Sequence, residues 1–182
     1  MDKKNLRKYI RTVKSTVPFC EKLDRSIHIM QKVEQLPAFV DAKIVLLYWS
    51  MDDEVQTHAF VEKWYQSKTI LLPCVDGDNL LLRQFYGKDT MRSGEQFGID
   101  EPVGDIFSNL DKIDMIVVPG VAFDSKKNRM GRGRGFYDRL LKSTPNACKV
   151  GVAFDFQIVS SVPVDVFDVK MDKVVAEQFI IE

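Results

Sequence analysis

The sequence predicts an α/β domain built on a mainly parallel sheet. Three observations carry the prediction: two successive amphipathic helical patterns at the start, short apolar runs bounded by Asp, Gly, Pro and Asn from residue 42 onward, and alternation of those runs with helical segments. In such a fold ligands bind in loops at the carboxyl ends of the strands.

Asp2 is placed as an N-cap, and Leu6, Tyr9, Ile10, Val13 and Val17 recur at helical spacing as one apolar stripe. After Pro18, the residues Phe19, Leu23, Ile27, Met30 and Val33 repeat the pattern up to Pro37 and predict a second amphipathic helix. Strand signals begin with AKIVLLYWS at 42–50 and continue, after the helical segment THAFVEKWYQ at 57–66, with KTILLPCV at 68–75 and NLLLRQF at 79–85. Residues 86–105 are rich in Gly and charge with no sustained period, and are predicted to be a long loop of the kind that tends to carry function. DMIVVP at 114–119 is a buried strand entering a polar stretch, and a helix around FYDRLLKS at 136–143 and a strand at 148–154 complete the unit. VVAEQFII at 174–181 is predicted as one last strand.

At 182 residues the chain fits a single domain spanning 1–182. Hydrophobic residues at 45% and charged residues at 29% exclude wholesale disorder and a collagen-like chain. The 26 basic and 26 acidic side chains cancel, leaving no global field for nucleic acid or an anionic membrane, so any anion site must be local. Cys20, Cys74 and Cys148 lie far apart without a CxxC pair, which argues against a disulfide framework or zinc knuckle and fits a reducing cytoplasm. The basic N-terminus precedes no apolar h-region, and no stretch approaches the ~20 apolar residues of a membrane span, so a cytoplasmic protein is expected.

The segment VVPGVAFDSKKNRMGRGRGFYDRLL, residues 117–141, is the most informative. Gly131, Gly133 and Gly135 alternate with Arg132 and Arg134, so the main chain can turn its N–H groups inward as an anion nest suited to phosphate. The helix starting near Phe136 adds its positive end, and Lys126, Lys127, Arg129, Arg132 and Arg134 add cations. A solvated turn with scattered charges accounts for the same run. An RNA-binding Gly/Arg segment fits less well, because such segments are repeated and disordered whereas this one is single and embedded. Neither GxxxxGK[ST] nor a clean GxGxxG fingerprint is present.

The runs PGVAFD at 119–124, RMGRG at 129–133 and GFYDR at 135–139 resemble the signature of the 5-formyltetrahydrofolate cyclo-ligase (methenyltetrahydrofolate synthetase) family. The likeness extends through KKNLR at 3–7, MDDEVQT at 51–57, FGIDEP at 97–102, VGVAFDFQ at 150–157 and DVKMDKVVAE at 168–177, in the family's order. It implies a three-layer α/β/α fold similar to the sugar-phosphate isomerase and CoA-transferase group. It also implies ATP-driven closure of 5-formyltetrahydrofolate to 5,10-methenyltetrahydrofolate, with magnesium, through a phosphorylated formyl intermediate. Small-molecule substrates, no nucleic acid or membrane partner, and a monomer are expected.

The resemblance implies that Lys3, Arg7, Arg129, Gly131, Arg132, Gly133, Arg134, Gly135 and Tyr137 meet ATP, with Arg132, Arg134 and Asp138 catalytic. It implies that Asp138 and Asp172 hold magnesium, which needs few carboxylates when phosphates complete its shell, and that Glu54, Phe97 and Glu101 meet the folate. On this reading Arg132→Ala impairs ATP use with folate binding nearly intact, and Glu54→Gln does the reverse. Asp52 and Asp53 read as solvated loop acids, and His28 and His58 as surface residues. Arg134 stands where the family often has Gly or Lys. Phe167 stands where many relatives have His, and no site role is expected of it.

Overall fold

The computed structural model describes residues 1–94 and 98–182. The helices are α1 (Lys3–Thr16), α2 (Phe19–Glu34), α3 (Pro37–Asp41), α4 (His58–Trp64) and α5 (Phe136–Lys142). The strands are β1 (Ile44–Leu46), β2 (Thr69–Asp76), β3 (Asn79–Gln84), β4 (Met91–Ser93), β5 (Asp100–Pro102), β6 (Met115–Val118), β7 (Ala122–Asp124), β8 (Arg129–Met130), β9 (Cys148–Val152), β10 (Ile158–Val159), β11 (Lys173–Val175) and β12 (Ile180–Ile181).

The main sheet has the order β12, β11, β9, β6, β1, β2, β3. Its inner strands run parallel, and only β3 and β12 at the edges are antiparallel to their neighbours. Successive residues face opposite sides. Val45, Ile70, Met115, Val117 and Val150 pack with α2, α3 and α4, whereas Leu46, Leu71, Ile116 and Val118 pack with α5. Burial on both faces explains why these strands read as continuous apolar runs rather than as alternation. The mainly parallel α/β architecture predicted from the sequence is the one the chain forms.

Three local expectations change. Tyr9, Phe19, Leu23 and Ile27 lie 42–52% exposed, and α2 instead buries Lys22, Ser26, Ile29, Met30 and Val33. The reason is polar: the Ser26 hydroxyl accepts the Gln56 N–H at 2.9 Å, which turns that face toward the segment after β1. Within 86–105 the chain pairs β4 with β5, and the last predicted strand is two short ones, β11 and β12, joined by a turn closed from Ala176 N–H to Phe179 O.

A small sheet of β10, β7 and β8 carries α1, whose Leu6 and Ile10 pack on Ala122, Met130 and Val162. The β7–β8 hairpin is held by Asp124, 1% exposed, whose carboxylate accepts Lys126 N–H, Asn128 N–H, Asn128 Nδ2 and Val162 N–H at 2.9–3.0 Å. Burial works to raise this carboxyl, but the donors of Val162, Asn128 and Lys126 outweigh it and hold it below the usual range. Asp124→Ala is expected to cost about 3 kcal/mol at neutral pH, since it strands several donors at once. A depressed folded value means stability that is present above the unfolded value of about 4 and lost as pH falls through the folded one. Urea titrations of both proteins should therefore show a constant gap from about pH 7 to 5 that narrows below about pH 4.

Candidate active site

The cleft opens at the carboxyl ends of β1, β2 and β6. Beyond β1 the chain stays buried through Tyr48 and Trp49, and after β6 it turns at Pro119 and Gly120. Between β8 and α5 it bends through residues 131–135, with φ of +111° at Gly133 and +69° at Gly135, values that side-chain-bearing residues rarely adopt.

This bend is a partition. On one side lies a cavity of about 190 Å³ whose apolar lining includes Tyr48, Trp49, Val75, Leu80 and Ile99, with Glu54 and Glu101 among its acids. On the other lies a cavity of about 500 Å³ lined by Lys3, Arg7, Arg139 and Lys142, with Asp165, Asp168 and Phe167. Gly131, Gly133, Arg134, Gly135 and Asp138 line both.

Docking of α1 on the small sheet sets its basic edge against the bend. Arg7 Nε donates to Gly131 O at 3.0 Å, and Lys3 Nζ donates to Asp165 at 2.7 Å and Asp168 at 2.6 Å. Burial works against the Lys3 ammonium, but the carboxylates outweigh it and hold its pKa above the ordinary value. Arg129, 4% exposed, donates to Asp138 Oδ1 at 2.9 Å and to Pro119 O at 3.1 Å, and its guanidinium lies 5.6 Å from the Tyr137 ring centre. The Tyr137 hydroxyl and Arg129 Nε are buried with no hydrogen-bond partner among the described residues. Burial, helped by Glu54, pushes the Tyr137 phenol well above its usual value, so it stays a protonated donor. Arg134 lies over the Phe136 ring at 5.3 Å.

Arg132 crosses to the acidic segment 51–54. Its Nη2 donates to Asp53 Oδ1 at 2.6 Å and Glu54 Oε1 at 3.0 Å, while Nε reaches Glu54 Oε1 at 3.2 Å. Glu54 Oε2 accepts the Met51 N–H at 3.1 Å. Behind them Lys14 Nζ, buried on α1, stands 3.6 Å from Asp53 Oδ2. Burial lowers the Lys14 pKa. Burial works to raise Asp53, but Lys14 and Arg132 outweigh it and hold its carboxyl low. Asp53 is thus a structural partner rather than a solvated loop acid, and Arg132 and Glu54 are bonded to each other rather than independent. The run of acids at 52–54 was the available signal; its partners come from α1 and from the bend.

The predicted residues Lys3, Arg7, Arg129, 131–135, Tyr137, Asp138, Glu54 and Glu101 are brought to these cavities, and Glu101 also accepts the Val75 N–H at 2.9 Å. Phe97 lies outside the described residues. Asp172, expected to hold magnesium, sits beside the start of β9, where its carboxylate accepts the Lys149 N–H at 2.7 Å, and it lines neither cavity. The acid of that segment that does line the cationic cavity is Asp168. Phe167 also borders it, 4.7 Å from Lys142 Nζ, and His58 is half-buried, stacked on Trp49 at 3.9 Å. Among the described residues no group of three or more His, Cys, Asp or Glu is placed to hold a metal ion. No helix among them is long and apolar enough to cross a membrane.

Residues 1–177 match the 5-formyltetrahydrofolate cyclo-ligase family. The chain is 32% identical over 176 residues to 5-formyltetrahydrofolate cyclo-ligase of Haemophilus influenzae, covering 93% of this chain and 94% of that protein. It is 32% identical over 147 residues to the Escherichia coli K12 protein of the same name, covering 76% and 80%. Among solved structures, 5,10-methenyltetrahydrofolate synthetase of Aquifex aeolicus superposes with a TM-score of 0.88 at 35% identity, covering 99% of this chain and 92% of that one. The Mycoplasma pneumoniae synthetase superposes with a TM-score of 0.79 at 25% identity, covering 98% and 100%.

Proposed function

The chain belongs to the 5-formyltetrahydrofolate cyclo-ligase family, and from that premise we propose that it closes 5-formyltetrahydrofolate to 5,10-methenyltetrahydrofolate using ATP. The observation that carries the reading is the partition, with one apolar and one cationic cavity sharing a glycine-rich, arginine-bearing wall. The reduced pterin, a flat donor-rich ring, suits the apolar side, where Glu54 and Glu101 accept N–H groups. The triphosphate suits the side of Lys3, Arg7 and Arg134, with its terminal phosphoryl at the bend.

A formamide oxygen leaves poorly, so ring closure by N10 needs that oxygen phosphorylated first. The formyl oxygen attacks the γ-phosphorus and ADP departs; N10 then attacks the iminium carbon, loses its proton, and phosphate leaves. No protein nucleophile is needed. The chain's residues align the two ligands across the wall and neutralise charge, with Arg132 and Arg134 at the transferred group. Asp138 and Asp168 fit magnesium, which takes a few carboxylates beside phosphate oxygens and, when bound, would offset phosphate charge. Purified protein with 5-formyltetrahydrofolate, ATP and magnesium should form the methenyl chromophore and ADP in equal amounts. ADP formation that does not depend on the folate, with no chromophore, would sink the reading.

A further inference from the structure

Arg132 and Glu54 occupy each other in the apolar cavity, and Arg132 stands on the bend whose neighbouring residues Gly131, Gly133 and Arg134 also line the cationic one. The cluster has a definite order: Lys14, Asp53, Arg132, Glu54, with contacts of 3.6, 2.6 and 3.0 Å. We propose that this ion cluster couples the two cavities, with nucleotide phosphate drawing Arg132 off Asp53 and Glu54 and thereby freeing Glu54 Oε1 to accept donors from the folate. Asp53 is the positioning residue, and the inference rests on the ligand assignment made above.

The geometry supports each part. The Arg132 side chain is 47% exposed, so it is free to swing, whereas Glu54 at 12% is fixed through Oε2 by the Met51 N–H. A phosphate offers the guanidinium fork a stronger bidentate partner than two carboxylates held on a separate segment. When Arg132 leaves, Asp53 keeps a counter-charge in Lys14, whose buried ammonium stands 3.6 Å away. Glu54 has no such reserve and is left with a carboxylate oxygen open to the cavity. Linkage then requires that each ligand strengthen the other by the same factor.

The test is calorimetric titration of 5-formyltetrahydrofolate into the full chain with and without a non-hydrolysable ATP analogue, and of the analogue with and without the folate. In the unaltered protein each ligand is expected to tighten the other by about fivefold or more. Asp53→Asn weakens the hold on Arg132, so it should tighten the analogue by about two- to fivefold, the range of an exposed ion pair, and shrink the coupling. A merely structural Asp53 would weaken the analogue instead. Arg132→Ala should bring the coupling factor close to one, with folate bound in the absence of nucleotide as tightly as the unaltered protein binds it in its presence. Binding of both ligands with a coupling factor near one in the unaltered protein, or a weaker analogue in Asp53→Asn, overturns the coupling alone. Failure to bind either ligand overturns the coupling together with the proposed function.

Discussion

Arg132→Ala is expected to lower kcat/KM for ATP by about 10²- to 10³-fold, the usual loss when one preorganised donor to a transition state's developing charge is removed. Half-exposed and carried on a bend rich in glycine, Arg132 can follow a phosphoryl group as it crosses between the cavities. Lysine at 132 restores charge without the planar fork, so Arg132→Lys should recover only part of the loss. Initial rates of chromophore formation at varied ATP measure both. A decrease below about fivefold would remove Arg132 from the transferring site, since an exposed ion pair alone accounts for that much.

Arg129→Ala should destabilise the fold by about 3–5 kcal/mol, because it leaves a carboxylate without its buried partner. Arg129 is 4% exposed, and it alone supplies the 2.9 Å bond to Asp138 and the 3.1 Å bond to Pro119 O that join the end of β6 to the first turn of α5. At about 2–4 °C per kcal/mol for a chain of this size, the melting temperature should drop by about 10 °C. The paired change Arg129→Met with Asp138→Leu removes both charges and should recover part of the deficit. Urea denaturation of the single and double variants checks this, and a deficit under about 1 kcal/mol for Arg129→Ala would show the pair to be surface-like.

The sheet was legible because β1, β2, β6 and β9 are buried on both faces, which leaves continuous apolar runs that need no tertiary knowledge to find. The outward stripe of α2 was not, since Phe19, Leu23 and Ile27 carry the helical period while the buried face is chosen by Ser26 and its bond to Gln56. In the site, the glycine bend announced itself through unusual residue types at short spacing. Asp53 and Asp168 did not, because a carboxylate's partner is set by how the chain returns. Asp165, Asp168 and Asp172 are chemically alike, and only the path from β10 to β11 puts the first two beside Lys3 and the third beside Lys149.

The tie between Lys3 and Asp168 joins positions 165 apart. On a ribosome, the opening helix therefore emerges long before its carboxylate partners exist, and contacts between such distant positions form late, after the loop between them has closed. Until the closing segment arrives, the nascent chain lacks the acid that anchors Lys3, whatever sheet has already formed. A product that ended before this segment would lack β11 and β12 of the main sheet as well as the two acids that line the cationic cavity beside Lys3.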